Sequence, residues 1–227
     1  MRVAVDVRGG QKTGYFLDQR ENRLALRRYA RGKVRAANCF SYSGGFSVSA
    51  LLGGAREVVS VDRDESALRL ARRNFELNGF DPERHAFVAG DVLDFLRQQQ
   101  QPYDLLVLDP PAFAKSQKAV PAALDGYASL HRAALGALAP GGILATASCS
   151  ARVSAEEFAG AIRGRKVGEE ISLDIQQIRD LAPGIVRIQG NVALHQNCRF
   201  PSLHRPYRSR NAFASSSADL FSASHRC

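Results

Sequence analysis

No run of 18 apolar residues occurs in the sequence, and the N-terminus Met1-Arg2-Val3-Ala4-Val5-Asp6 lacks the apolar centre of a signal peptide. A membrane-spanning helix and a membrane partner are therefore not expected, and a cytoplasmic location is. Cysteine is scarce: Cys39, Cys149, Cys198 and Cys227 show no CxxC spacing, so neither a disulfide framework nor a zinc site is predicted, and no metal is expected. Two phosphate cradles are also missing. The glycine-bearing turn does not spell GxGxxG and no GxxxxGK[ST] exists, which counts against NAD and ATP and leaves a dehydrogenase the third choice among readings.

What is present is a globular composition, 45% hydrophobic and 23% charged over 227 residues, enough for one sizeable core. Lys and Arg number 31 against 22 Asp and Glu; the net charge of +9 favours a polyanionic partner, although charge alone is weak evidence for one. The most informative stretch is Leu105-Leu106-Val107-Leu108-Asp109-Pro110-Pro111-Ala112-Phe113. Its apolar run is too short for a helix and reads as a strand buried on both faces of a parallel sheet. Ligands of such sheets bind beyond the strands' carboxyl ends, where Asp109 stands. The two prolines fix φ twice and remove two donors, so a planar base could bond to the stiff turn and stack on Phe113.

Around that stretch the chain alternates strands and helices. Val3–Val7 with Gly9-Gly10 and Gly14–Leu17 reads as a β-hairpin, and Gln19–Arg31 as a basic helix with one apolar edge (Leu24, Leu26, Tyr29), together residues 1–33. Strands follow at Val34–Phe40, Val58–Asp62, His85–Gly90, the Asp109 strand and Ile143–Ala147. Helices start at Ser47, at Ser66 and just after Asp91, and a long one runs from Ala119 to Leu138. Residues 34–163 thus predict an α/β domain, a Rossmann-like doubly wound parallel sheet with right-handed crossovers.

Gly44-Gly45 after the first strand allows close backbone approach to a ligand. Asp62, closing the second strand, suits ribose hydroxyls, and Asp91 closes the third. S-adenosylmethionine needs such a pair and no anion cradle, so it is the predicted cofactor.

The segments Gly10–Arg20, Asn38–Val48, Asp109–Ser116 and Ser148-Cys149-Ser150 resemble the bacterial class I S-adenosylmethionine-dependent methyltransferases of large-subunit ribosomal RNA, best the cytosine-5 branch, over roughly residues 3–163. The resemblance implies an RNA-binding enzyme of rRNA processing. Phe16, Asp18, Arg20, Tyr42, Ser43, Gly44, Gly45, Asp62, Arg63, Asp91, Val92 and Asp109 would surround the cofactor. Pro110, Pro111, Phe113 and Lys115 would meet the base with Asp109, and Cys149 would be the nucleophile. The chemistry independently wants a thiolate, because carbon 5 of cytosine reacts only after addition at carbon 6. A free thiol with a pKa near 8.5 is only a few per cent ionised at neutral pH, so local activation is expected. The named partner is large-subunit ribosomal RNA, with Lys115, Lys118 and the first-helix arginines on its phosphates; a homodimer is a further expectation.

Two departures from the family stand out. Family members usually begin with a small RNA-binding PUA domain and a linking β-region, and this sequence starts near the end of that region. After Arg163 neither a final antiparallel strand pair nor the family's closing motif is read; residues 164–227 hold an amphipathic patch (Ile171, Leu173, Ile175, Ile178, Leu181) and the Ser-rich Ala214–Ser217. The expectation is a chain cut short at both ends, with a poorly ordered tail and an exposed sheet edge beside the fifth strand. Two other functional readings stay open: methylation of an exocyclic nucleobase nitrogen, which would not use Cys149, and an inactive RNA-binding remnant.

Overall fold

The computed structural model describes residues 1–10, 14–163, 171–176 and 185–190. Runs rich in Val, Leu and Ala form the central strands β1 (Arg35–Cys39), β2 (Glu57–Asp62) and β4 (Tyr103–Leu108), flanked by β3 (Ala86–Ala89) and β5 (Leu138–Ala147). These five are parallel in the order β3-β2-β1-β4-β5. Ala37 stands between Val59 on β2 and Leu106 on β4, and Leu106 in turn pairs with Leu144.

The helices are α1 (Arg20–Tyr29), α2 (Gly45–Gly53), α3 (Glu65–Leu77), α4 (Val92–Arg97), α5 (Val120–Gly136) and α6 (Ala155–Arg163). Successive strand residues point to opposite faces, so each central strand feeds two cores. Ala37, Val61, Leu106 and Leu144 pack with Tyr127, Leu130 and Phe158 of α5 and α6. Ala36, Val58, Leu105 and Val107 pack with Leu26, Val48 and Phe75 of α1, α2 and α3. Asp64 and Asp91 cap α3 and α4 by accepting the backbone N–H groups of Ser66 and Ala67, and of Leu93 and Asp94. Because the chain winds from β1 out to β3 and then returns to β4 on the other side of β1, a crevice opens past the carboxyl ends of β1 and β4.

Three sequence expectations are corrected. No strand forms among the described residues before Arg35, so the N-terminal hairpin is not there. The backbone groups of that segment go instead to the side chains of Asn74 in α3 and of Asn78, the residue that caps its end. Asn78 accepts from Arg2 N (2.8 Å) and donates to its carbonyl (2.7 Å), while Asn74 accepts from Ala4 N (2.6 Å). Asp6 then closes a turn by accepting from Arg8 N and Gly9 N. Second, α1 does not turn its basic face wholly to solvent: Arg23 is buried and Leu24 is exposed, since the inner face follows Gln19, Asn22, Arg23 and Leu26 at helical spacing.

Third, a closing antiparallel pair exists. β6 (Ile171–Gln176) pairs with β7 (Ile185–Gly190), and β7 pairs with β5, Thr146 opposite Val186. The Ile171, Leu173, Ile175 series alternates with polar residues, the period of a strand rather than of a helix. The outer edge of β5 is therefore hydrogen-bonded, which removes the exposed edge expected there. Ile178, Leu181 and the Ser-rich stretch Ala214–Ser217 lie outside the described residues, as do Gln11, Lys12 and Thr13 of the resemblance. Among the described residues no helix is long and apolar enough to cross a membrane.

Asn74 also donates to the Ser43 carbonyl (2.8 Å), so one side chain ties the N-terminal segment to the loop after β1. Replacing it with Ala leaves the Ser43 carbonyl and Ala4 N without these partners. Asn74→Ala should lower the unfolding free energy by about 1–3 kcal/mol, read from urea denaturation.

Candidate active site

The turn between β1 and α2 forms one wall of the crevice, and its backbone is strained. Phe40 (φ 60°), Tyr42 (φ 46°) and Gly44 (φ 76°) all lie in the left-handed region, which is costly for the two aromatic residues. Fixed bonds hold them there: Ser41 N to the Val61 carbonyl (2.9 Å), Gly44 N to the Ser41 carbonyl (2.9 Å) and Tyr42 N to Asp62 Oδ2 (2.8 Å). A β-carbon on Gly44 would come 2.9 Å from Ala71 Cβ, so the turn rests directly on α3. A β-carbon on Gly45 would come 2.8 Å from Tyr15 Oη and 3.2 Å from Arg23 Cδ, filling space on the cleft side. The hydroxyls of Ser41 and Ser43, both lining the cleft, are buried without a hydrogen-bond partner among the described residues.

Two aspartates close this half. Asp62 accepts from Tyr42 N through one oxygen and from Asp64 N (3.0 Å) through the other. Asp91 uses Oδ1 to cap α4 and Oδ2 to meet Arg63; the Asp94 N–H first, with help from Arg63 and Leu93 N, holds its carboxyl below the usual range.

The other half follows β4 and β5. Gln19 Nε2 donates to Asp109 Oδ1 (3.5 Å), and its amide orientation is fixed because Asn22 Nδ2 donates to Gln19 Oε1 (2.6 Å). Arg23 lies 4.3 Å over the Tyr15 ring and donates to the Phe16 carbonyl (3.0 Å). Burial lowers its pKa, opposed by the charges of Tyr15, Asp109 and Asp18. Past the two prolines, Phe113 stacks on Tyr127 with centroids 4.6 Å apart. Cys149 follows β5, exposed to the cleft, its Sγ 3.6 Å from the Pro110 carbonyl.

One cleft of about 820 Å³ brings these groups together. On the side of β1 to β3 it is lined by Phe16, Asp18, Tyr42, Ser43, Gly45, Asp62, Arg63 and Asp91; on the other side by Asp109, Pro110, Pro111, Phe113 and Cys149. Four sequence-predicted residues do not line it. Gly44 backs onto α3, and Val92 is 2% exposed within the core because it is the first inward residue of α4. Arg20 turns outward beside Glu21 (3.8 Å), and Lys115 is exposed beyond the turn. Sequence reading missed Arg23 and Ser41 and had Tyr15 and Gln19 only as members of the Gln11–Arg20 segment implied by the resemblance. The signal for Gln19 and Arg23 was their i, i+4 spacing in register with Leu26, which marks them as one inner face; polarity hid it.

Behind the second wall lies a buried polar cluster. His131 Nδ1 faces the Tyr127 carbonyl (2.6 Å) and therefore carries the proton, leaving Nε2 to accept from Thr146 Oγ1 (2.9 Å). The ring is neutral and fully partnered.

A sequence profile described as S-adenosylmethionine-dependent methyltransferase matches residues 1–160. The ribosomal RNA large subunit methyltransferase I of Klebsiella pneumoniae (strain 342) is 44% identical over 187 residues, which cover 80% of this chain and 46% of that protein. Its Salmonella arizonae namesake is 43% identical over the same length and coverage. The chain thus spans about half the length of the curated relatives it matches. Among solved structures, SMU.776 complexed with SAH superposes with a TM-score of 0.63 at 30% identity, covering 78% of this chain and 49% of that one. A SAM-dependent methyltransferase from Agrobacterium tumefaciens gives 0.61 at 20% identity over 80% and 64%, a likeness of fold.

Burial pushes the His131 pKa down to about 4 from 6.5, with the Tyr127 carbonyl partly offsetting it. The unfolded chain therefore takes up this proton at a higher pH than the folded one. The contribution of the neutral ring is complete above pH 6.5 and is lost as pH falls towards 4. Between pH 7 and pH 5 the unfolding free energy should drop by about 2 kcal/mol from this group, and His131→Gln should remove that part of the drop in urea denaturation.

Proposed function

The chain belongs to the S-adenosylmethionine-dependent methyltransferase family, and from that membership we propose that it transfers a methyl group to carbon 5 of a cytosine in large-subunit ribosomal RNA through a covalent Cys149 adduct. The RNA substrate is carried over from the relatives' name. The observation that carries the chemistry is that Cys149 and Asp109 line the same wall of one cleft, with Cys149 Sγ 3.6 Å from the Pro110 carbonyl that follows Asp109.

The cofactor fits the other half of the cleft. Unpartnered Ser41 and Ser43 hydroxyls, the side-chain-free Gly45 and a volume within the usual range of small-molecule sites all support it there. Asp62 would accept from ribose hydroxyls, and Ser43, Asp91 and the Phe16–Asp18 segment would complete the enclosure. When bound, S-adenosylmethionine supplies a methyl group on a sulfonium sulfur.

The chain's own residues do the rest. The Cys149 thiolate forms a bond to carbon 6 of the base, and the ring's electron pair moves to carbon 5, making that carbon nucleophilic. Asp109, oriented by Gln19, accepts from the exocyclic amino group and, when protonated, donates its proton to N3, neutralising the negative charge that addition places on the ring. Once carbon 5 carries its methyl group, the carbon 5 proton passes to a base, the carbon 6–sulfur bond breaks, and the thiolate is regenerated. Pro110, Pro111 and Phe113 present a stiff apolar rim for a base drawn out of the RNA. Arg28, Arg31, Lys115 and Lys118, all exposed, would hold phosphates without reading sequence.

Cys149→Ser should abolish methyl transfer to RNA by several orders of magnitude, and trapping by 5-fluorocytosine RNA should disappear with it. S-adenosylhomocysteine affinity should stay within about twofold of wild type. Full activity in this variant would instead favour methylation of an exocyclic nitrogen. Asp62→Ala should weaken S-adenosylhomocysteine binding by about 1–3 kcal/mol in titration calorimetry; unchanged affinity would take Asp62 out of the site.

A further inference from the structure

Both residues flanking Cys149 are buried, Ser148 at 5% and Ser150 at 1% exposure, and both turn away from the cleft to the same atom. Tyr127 Oη, on α5, lies 2.9 Å from Ser148 Oγ and 2.9 Å from Ser150 Oγ. The directions of these bonds follow from counting donors. Ser150 Oγ accepts from Phe113 N (3.0 Å) and Ala114 N (3.3 Å), which uses both its lone pairs, so its own proton goes to Tyr127 Oη. Tyr127 then donates to Ser148 Oγ, which also accepts from Ser150 N (3.2 Å). A relay thus runs from the Phe113 and Ala114 amides through Ser150 and Tyr127 to Ser148.

The ring of Tyr127 is fixed as firmly as its hydroxyl. It stacks on Phe113 and meets Phe158 edge-on, centroids 4.9 Å apart, and it is fully buried. Ser150 Oγ ties the Pro-Pro-Ala-Phe turn after β4 to the Ser-Cys-Ser loop after β5, and Tyr127 fixes that tie by bonding both serines of the loop while its ring stacks on Phe113 of the turn. Tyr127 touches neither solvent nor cleft, so it has no part in bond making.

We infer that Tyr127 is a positioning residue for methyl transfer: its hydroxyl sets the spacing between the Cys149 sulfur and the turn that grips the base. This rests on the cysteine-adduct reading above. Reacting atoms must meet at about 3–3.5 Å, and a shift of about 1 Å in either segment costs rate rather than binding. Phenylalanine would keep the packing against Phe113 and Phe158 but leave the Ser150 hydroxyl without its acceptor and Ser148 with only the Ser150 N–H as donor.

The test compares wild type with Tyr127→Phe by RNA methylation kinetics and by iodoacetamide alkylation followed at the Cys149 peptide. At a temperature where both chains melt cooperatively from a folded baseline, kcat should fall roughly 10- to 100-fold. KM for S-adenosylmethionine should stay within about twofold, a split that general destabilisation does not produce. Cys149 alkylation should rise about threefold or more as the loop loosens. Unchanged kcat and unchanged alkylation in Tyr127→Phe would overturn the inference. If the wild type transfers no methyl group to RNA, the functional reading falls, and alkylation alone decides the positioning role. If Tyr127→Phe does not fold, Ser148→Ala, which keeps the ring, is held to the same kcat and alkylation criteria.

Discussion

The bond from Tyr42 N to the Asp62 carboxylate is the constraint on which the cleft depends. It crosses from β1's turn to the end of β2, and with the Val61 and Ser41 carbonyls it holds two aromatic residues in a backbone region they would not choose. That conformation keeps Ser41, Ser43 and Gly45 on the cleft and seats Gly44 against α3. Asn74 then extends the same brace to the N-terminal segment. The half of the cleft that bears Asp62 is therefore braced because side chains of neighbouring elements accept and donate to backbone groups that no strand or helix ladder uses.

The second half is braced differently, from behind rather than along its edge. Side chains of α5 fill the space between the ends of β4 and β5 with His131 and Tyr127, every polar atom of which has a partner. Fully satisfied polar groups in a low-dielectric core specify one arrangement more sharply than apolar packing does, because any alternative strands a donor or an acceptor. A thiol on an exposed loop, Cys149, inherits that definition from its two buried neighbours.

Much of this was legible in the sequence, for identifiable reasons. Five runs of β-branched and alanine-rich residues separated by helical periodicity give the parallel sheet, since double burial leaves an unmistakable apolar run such as Leu105–Leu108. Asp62, Asp91 and Asp109 are readable because they end such runs. Three features escaped. The N-terminal segment satisfies its backbone through Asn74 and Asn78, seventy residues away, which no local pattern records. Arg23 is buried by a tertiary stack on Tyr15, against the habit of its residue type. The closing strands were lost because Ile171, Leu173 and Ile175 were grouped with residues at helical spacing, although their alternation has a period of two.

The strand order also separates local from non-local pairings. β1, β2 and β3 pair through neighbouring helices and can associate as they are made, whereas β4 must close a long loop to lie beside β1, Ala36 meeting Leu105. Non-local closure of this kind is slow and entropically costly. The crevice lies along that late seam, so on a growing chain the wall bearing Asp62 precedes the wall bearing Asp109 and Cys149. The Cys149 sulfur is encoded last of the three, so the cleft is complete only when the chain after β5 is in place.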